Sequence, residues 1–208
     1  MKGHKSKEID IKNFVLKERE KYKNRNNLEL AFYGGTFFNL PEKRLKHYKD
    51  IIIELKENGL IKNARISTTP DSINEKVLKM FRGVIDRIEV GIQSLDDFVL
   101  KILKRGYTKK DVLNTIMLLK KFDFEIGFQI MLGLPFESKG SFINTIQEVL
   151  YMKPDFARLY PLFVIKNTPL SIYYRLGFFK PIEMEELLWR GMYAVIKFEK
   201  AGIKIIKI

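Results

Sequence analysis

The chain has 208 residues, 46% of them hydrophobic, which is enough to bury a sizeable core, and we predict one domain over residues 1–208. With no cysteine and two histidines, it excludes disulfides and thiolate metal sites, and no metal ligands are predicted. A net charge of +13 favours an anionic partner, with nucleic acid first, although solvated lysine-rich helix faces would give the same total. The sequence has no apolar run long enough for a bilayer and no signal-peptide stretch, so we expect a cytoplasmic protein without a membrane partner.

The predicted elements alternate between helices and strands in chain order. Helices are predicted at residues 6–23, 41–58, 70–81, 96–104, 108–121, 138–151, 169–176 and 183–200. Strands are predicted at residues 28–33, 64–69, 85–91, 124–132, 155–160 and 203–208. This alternation predicts repeated βαβ units and therefore an α/β fold with a parallel sheet.

Two local features refine this prediction. The first helix is predicted to carry Ile11, Phe14, Val15 and Tyr22 on one side, with charged residues between them. Asp71 is interpreted as the cap of the helix that starts near Pro70.

Polar residues and glycines follow the predicted strands, where parallel sheets bind their ligands. Gly34, Gly35 and Thr36 follow the first strand, and glycines there leave backbone groups open to a ligand. A plain strand-to-helix turn is the alternative for this segment alone. The other strand ends carry Ser67 to Thr69, Gly91 to Gln93, Gln129 to Gly133, and Tyr160 with Pro161.

Six motifs occur in order at these positions: Phe32–Phe37, Arg65–Asp71, Gly91–Ser94, Leu103–Thr108, Met131–Pro135 and Arg158–Thr168. Together they resemble the motifs of radical S-adenosylmethionine (radical SAM) enzymes. The branch they resemble includes the Elongator catalytic subunit and oxygen-independent coproporphyrinogen oxidase. The resemblance covers residues 28–208.

The resemblance implies a partial (β/α)6 TIM-like barrel of parallel strands, with the first strand and the cluster loop missing, that holds S-adenosylmethionine. It implies that Gly34, Gly35 and Thr36 contact the methionyl amine, with Ser67 where relatives often carry a glutamate. It further implies contacts from Gln93 and Gln129 to the ribose, from Arg105 to the methionyl carboxylate, and from Met131 and Tyr160 to the adenine. Structural alternatives remain: the glutamines could satisfy buried backbone groups, Arg105 could complement a helix C-terminus, and Tyr160 could serve packing alone.

The largest departure from this family concerns iron. Radical SAM enzymes hold a [4Fe–4S] cluster through three cysteines of a CxxxCxxC loop, and this chain has none. We therefore expect a chain truncated at both ends, whose complete form would cleave S-adenosylmethionine reductively at a cluster but which is inactive alone. No catalytic residue is assigned.

Three functions remain open at this stage. The first is a radical SAM enzyme that modifies tRNA or another nucleic acid and draws on an electron donor. The second is a remnant of the fold that binds RNA or protein without catalysis. The third is a porphyrin-type small-molecule radical enzyme, since an acidic tetrapyrrole would also suit a basic cleft.

Overall fold

The computed structural model describes residues 10–21, 27–33 and 35–207, and the account below concerns those residues. The helices are α1 (Ile11–Lys21), α2 (Glu42–Glu57), α3 (Glu75–Phe81), α4 (Asp97–Ile102), α5 (Lys109–Leu119), α6 (Lys139–Met152), α7 (Pro169–Arg175) and α8 (Met184–Lys200). The strands are β1 (Glu29–Phe32), β2 (Asn63–Thr68), β3 (Arg87–Gln93), β4 (Glu125–Leu132), β5 (Phe156–Pro161) and β6 (Lys204–Lys207). None of these helices is long and apolar enough to cross a bilayer.

The six strands form one sheet in the order β1-β2-β3-β4-β5-β6, and every neighbouring pair is parallel. Each strand returns beside the last through a helical crossover, as parallel pairing requires. The sheet curls into a half-barrel, which confirms the predicted α/β partial barrel.

Side chains alternate between two faces of this curled sheet. Along β2, Ala64, Ile66 and Thr68 are buried beneath the helices, whereas Arg65 and Ser67 are less buried and occupy the opposite face. We call this opposite side the concave face. The helix-facing side is an apolar core that includes Ile52, Leu78, Phe81 and Phe142.

Several predicted helix starts are confirmed by their hydrogen bonds. Asp96 caps α4, Ser138 caps α6, and Thr108 forms a capping box with Asp111 at the start of α5. These caps fix where each crossover helix leaves the carboxyl end of its strand.

The predicted helix over residues 70–81 is wrong in its first half. Pro70–Ser72 forms a separate 3-10 turn, and α3 begins only after Asn74, whose side chain accepts a hydrogen bond from the Val77 amide at 3.1 Å. Asp71 is therefore not the helix cap. Hydroxyl groups explain the break, because Ser72 donates to the Thr69 carbonyl and Thr115 donates to the Pro70 carbonyl, at 2.8 and 3.3 Å.

The first helix is only partly as predicted. Val15 is buried, and Ile11 packs against the core, but 51% of Phe14 is exposed. Only part of that predicted side therefore packs against the core. Tyr22 and the start of the predicted helix lie outside the described residues.

Candidate functional site

Strand register brings two predicted site residues together on the concave face. Ser67 lies beside Glu89 in the sheet, and Gln129 lies beside Gly91 on the neighbouring pair of strands. The Gln129 amide nitrogen donates to Ser67 Oγ at 3.0 Å and to Glu89 Oε2 at 2.7 Å. Because both amide hydrogens are used, Gln129 Oε1 is left as a hydrogen-bond acceptor.

Gln93 reaches the same place through an irregular strand end. It lies in β3, at a bulge with Gly91, and its φ of 61° is left-handed. A Cβ atom on Gly91 would lie 2.8 Å from Gln93 Nε2 and 3.7 Å from Gln129 Oε1. Glycine at position 91 therefore leaves the space in which the two glutamine side chains approach each other.

Arg105 is held at this edge by a neighbouring tyrosine that the sequence did not single out. The buried Tyr107 hydroxyl donates to the Gly91 carbonyl at 2.7 Å, and burial raises the pKa of Tyr107 to about 12. Arg105 Nε is buried and has no hydrogen-bond partner among the described residues. An unpaired guanidinium donor of this kind suits a carboxylate ligand.

The glycine turn contributes the next part of the site. Gly34 lies outside the described residues, and nothing lies within 4 Å of a Cβ built on Gly35. Thr36 and Thr69 approach each other, with their hydroxyl oxygens 3.4 Å apart. Gly35, Thr36 and Ser67 line one open cavity of about 190 Å³.

A larger cleft of about 580 Å³ lies elsewhere, between α5 and α6, and its lining includes Lys109, Glu148 and Tyr151 but none of the predicted site residues. Its position on the helical layer separates it from the strand ends. Its size alone therefore does not make it the functional site.

Met131 and Tyr160 are neighbours at the carboxyl ends of β4 and β5. Both are half-buried on the concave face, and the Tyr160 hydroxyl accepts a hydrogen bond from Arg158 Nη1 at 3.1 Å. This bond fixes the tyrosine ring beside the methionine. The structure thus gathers the described predicted residues along one edge of the sheet.

Below this edge lies a charged network centred on Glu89, which is fully buried. Glu89 Oε1 is 3.0 Å from Arg65 Nη1 and accepts a hydrogen bond from the Tyr33 hydroxyl at 3.1 Å. Arg158 Nε lies 3.1 Å from the same oxygen, at ion-pair distance but without hydrogen-bond alignment. The network ties β1, β2, β3 and β5 together beneath the two glutamines.

The ring of Tyr33 lies close to two cations in this network. The guanidinium carbons of Arg65 and Arg158 lie 5.4 and 5.1 Å from its ring centroid. Burial and the Glu89 carboxylate raise the pKa of Tyr33. The phenol therefore stays protonated, and its hydroxyl donates a hydrogen bond to Glu89.

Arginines and glutamates form a set of ion pairs on the concave face. Glu29 pairs with Arg65 at 3.0 Å and with Arg87 at 2.9 Å, and Arg87 also pairs with Glu125. Three arginines therefore face three glutamates there, namely Arg65, Arg87 and Arg158 with Glu29, Glu89 and Glu125. Lys204 of β6 lies beside Phe156 in the sheet and lines a cavity with Arg87 and Glu125, so it adds a positive charge to this set.

A second buried network supports the residue that follows Gln93. Ser94 donates to Glu137 Oε1 at 2.8 Å, and Arg190 of α8 lies 3.0 Å from Glu137 Oε2. Burial raises the pKa of Glu137 to about 7, although the Ser94 hydroxyl and the Arg190 charge oppose this change. This network joins α8 and the loop after β4 to the end of β3.

The residues present fit one of the two groups that the predicted family uses. Unpaired Arg105 Nε and the acceptor oxygen of Gln129 suit a ligand with a carboxylate and hydroxyl groups. Iron is a different matter, because the sequence has no thiolate ligand and the described residues contain no cluster of side chains that could hold a metal.

Comparisons with known proteins agree with this geometry. The model of the Radical SAM superfamily matches residues 3–149, and the model of the Radical_SAM C-terminal domain matches residues 154–208. Strands from both segments belong to one continuous sheet. The assignment of one domain to residues 1–208 stays a prediction.

Among curated relatives, an uncharacterised protein of Methanocaldococcus jannaschii is 26% identical over 92% of this chain and 56% of its own length. The tRNA uridine(34) acetyltransferase of Methanocaldococcus infernus is 28% identical over 81% of this chain and 36% of its own length. The heme chaperone HemW of Bacillus subtilis is 27% identical over 69% of this chain and 38% of its own length. The chain thus spans little more than half of these relatives at most.

Two solved structures share the fold. The Elp3 protein of Methanocaldococcus infernus, with an N-terminal deletion, gives a TM-score of 0.75 at 27% identity and covers 86% of this chain and 47% of that one. Coproporphyrinogen III oxidase (HemN) from Escherichia coli gives a TM-score of 0.67 at 17% identity and covers 90% of this chain and 44% of that one.

Proposed function

Because this chain belongs to the radical SAM superfamily, we propose that it is the core of a radical SAM enzyme and binds S-adenosylmethionine at the carboxyl edge of its sheet. The observation that carries the proposal is the approach of the Gln93 and Gln129 side chains over Gly91. The loop nearby contains Arg105, whose Nε has no hydrogen-bond partner among the described residues. In this superfamily S-adenosylmethionine and its cluster supply a radical to the substrate. This chain lacks the cluster ligands, so by itself it is expected to bind without turnover.

Each proposed contact follows from the chemistry of its side chain. Both amide hydrogens of Gln129 are already used, so its Oε1 would accept a hydrogen bond from a ribose hydroxyl. Gln93 would contact the ribose beside it. Arg105 would bind the methionyl carboxylate. Gly35 and Thr36, with Gly34, would offer backbone groups to the methionyl amine, with the Ser67 hydroxyl nearby; Met131 and Tyr160 would flank the adenine.

We propose tRNA as the macromolecular substrate. The net charge of +13 supports a polyanion, and several relatives carry names of tRNA-modifying enzymes. Exposed aromatic rings in the loops after β4 and β5 also support RNA. Phe136, whose φ is 63°, is 59% exposed, and Phe163 is 69% exposed and lies near the exposed Lys166. Unpaired bases stack on rings held in this way.

The ligand site is tested by NMR titration of the chain with two stable compounds. S-adenosylhomocysteine carries the amino-acid carboxylate, whereas 5′-methylthioadenosine lacks it. Arg105→Gln should lower the affinity for S-adenosylhomocysteine by about tenfold or more, because a charge-assisted hydrogen bond contributes about 1.5–3 kcal/mol. It should leave the affinity for 5′-methylthioadenosine unchanged. Arg82→Gln is the matched control, since Arg82 pairs with the exposed Asp123 at the opposite edge of the sheet.

Equal weakening of both ligands by Arg105→Gln would contradict the carboxylate role. Gln129→Leu should instead weaken both compounds, because both contain the ribose. If neither compound perturbs residues around Gly91 at millimolar concentration, the proposed site is wrong.

A non-catalytic RNA-binding domain is the second candidate, and the absence of cysteine from these 208 residues favours it. The two candidates differ in ligand binding, since the second predicts RNA affinity without adenosyl-ligand affinity. Binding of tRNA by either candidate should weaken steeply with added salt, and a flat salt response would remove the tRNA substrate and the RNA-binding candidate but not the adenosyl-ligand site.

A further inference from the structure

Helix α8 has two apolar sides, and only one of them is covered. Arg190, Ala194 and Phe198 are buried on its inner side, where α8 packs against the sheet and α6. A second row follows the outer side at intervals of four residues: Met184, Leu188, Met192 and Ile196, which are 66%, 58%, 62% and 47% exposed. Residues four apart lie on successive turns of one helix face, so these side chains form a continuous strip, here called the outer stripe.

The outer stripe is unusual for a helix on a protein surface, where the solvent side is normally polar. A fully exposed Met, Leu or Ile residue has roughly 150–200 Å² of surface, somewhat less than most aromatic residues. At the observed exposures each stripe residue leaves roughly 100 Å² uncovered, which gives about 400 Å² in all. The largest apolar patch on a typical monomer has about 300–600 Å² and is often functional, and the outer stripe falls within that range.

We infer that the outer stripe is a dimer interface, in which α8 packs antiparallel against α8 of a second copy of this chain. A twofold axis between Leu188 and Met192 would set Leu188 against Met192 of the partner subunit. The same axis would set Met184 against Ile196 of the partner subunit. The four-residue row is therefore self-complementary, as an isologous interface requires.

Charge favours the antiparallel arrangement. The first turn of α8 contains Glu185 and Glu186, of which Glu186 already pairs with Arg190. The last turn contains Lys197 and Lys200 with Glu199 between them, so the two ends still carry opposite net charge. An antiparallel pair brings acidic ends to basic ends and opposes the helix dipoles favourably, whereas a parallel pair brings like ends together.

The charge of α8 also favours a second copy over RNA as the occupant. Three acidic residues (Glu185, Glu186 and Glu199) balance three basic ones (Arg190, Lys197 and Lys200), so α8 is neutral within a chain of net charge +13. A neutral apolar strip is a poor surface for a polyanion.

The stripe has the right size for such an interface. A standard interface buries about 800 Å² per partner, of which about 56–58% is non-polar. Roughly 400 Å² of stripe supplies most of that apolar share, and the flanking charged side chains would supply the polar rim.

Sedimentation velocity of the whole chain at 150 mM salt tests the inference. We expect a reversible dimer at tens of micromolar chain, with Leu188→Glu raising its dissociation constant by at least tenfold because it buries an unpaired carboxylate. Met117→Glu is the matched control, since Met117 is 61% exposed on α5, and it should leave the dimer unchanged. Far-UV circular dichroism of both variants verifies that they are folded.

Crosslinking then tests the direction of pairing, and the cysteine-free sequence makes every introduced thiol unique. A mixture of Leu188→Cys and Met192→Cys chains should form the mixed disulfide faster than either variant forms its own. Faster homotypic crosslinking would overturn the antiparallel register. The interface would be overturned if the wild-type chain were monomeric at every concentration, or if its dimer were insensitive to Leu188→Glu. If the wild-type chain is monomeric and Leu188→Glu loses tRNA affinity, the outer stripe binds RNA instead.

Discussion

Gly127, in the middle of β4, makes the closest packing contact of any described glycine. A Cβ atom at this position would lie 2.0, 2.2 and 2.5 Å from three carbons of the Phe156 ring on β5. Ordinary carbon contacts are about 3.5–4.0 Å, so the ring would have to move by more than 1 Å. Phe156 is buried and held in a sheet ladder with Gly127, which leaves it little room to do so.

Gly127→Ala should therefore destabilise the chain by about 2–3 kcal/mol. Overpacking of a filled core costs about 1–3 kcal/mol, and this overlap falls at the upper end. Alanine restricts the unfolded chain more than glycine does, which returns about 0.4–1 kcal/mol. For a chain of this size the net loss corresponds to a fall in Tm of about 4–12 °C.

Urea denaturation of a double-mutant cycle measures this effect. Phe156→Leu removes the clashing ring edge, so it should cost less in the Gly127→Ala background than alone, with a coupling of at least about 1 kcal/mol. Gly140→Ala, at an exposed helical site with no contact closer than 3.8 Å, is the control and should be neutral or stabilising. A cost below about 0.5 kcal/mol for Gly127→Ala, or additivity with Phe156→Leu, would refute the packing argument.

Two further predictions concern a buried carboxyl and a helix cap. Glu137 has a pKa of about 7 in the folded chain instead of 4.5. Between about pH 4.5 and pH 7, the folded chain therefore holds a proton on Glu137 that the unfolded chain has lost. Wild-type stability should therefore fall relative to Glu137→Gln as the pH rises from about 4.5 to about 7, by at most about 1.4 kcal/mol per pH unit. Urea midpoints at several pH values measure this, and a difference that is constant or grows with pH would contradict it. Asn74→Ala should cost about 1 kcal/mol by loss of the α3 cap, whereas Asp71→Ala should cost less than half as much; equal costs would show that the cap assignment is wrong.

The fold and the edge of the site could be predicted because they depend on local patterns. Alternation of strands and helices implies a parallel sheet, and a parallel sheet brings its strand ends together. The pattern therefore predicts Ser67, Gln93 and Gln129 at one edge, and in the structure Gln129 contacts Ser67 and approaches Gln93 there.

The network below that edge could not be predicted in the same way. Glu89 is internal to its strand, and the residues it binds are separated from it by up to 69 positions, the distance in sequence to Arg158. Alternation showed which side of the sheet such residues occupy, but pairing depends on register between strands. The bulge at Gly91, which extends β3 to Gln93, was missed for the same reason.

Helix starts were also predictable where the cap is local and not where a contact from another element decides them. Thr108 with Asp111 forms a local capping box that the sequence spells out. Asp71 has the chemistry of a cap, but its helix is delayed because Thr115, more than forty positions away, bonds the Pro70 carbonyl. A contact from another element thus displaced a start signal that was locally plausible.

The strictly sequential order of the sheet has a consequence for how this chain can form. Every strand pairs with the one made just before it, so the sheet can lengthen by one ladder at a time as residues leave the ribosome. The residues of the proposed adenosyl site lie on or after the first five strands, so that site can be complete before the last strand is added. Helix α8 precedes that last strand in the chain, and the ion pair of Arg190 with Glu137 holds it to the loop after β4.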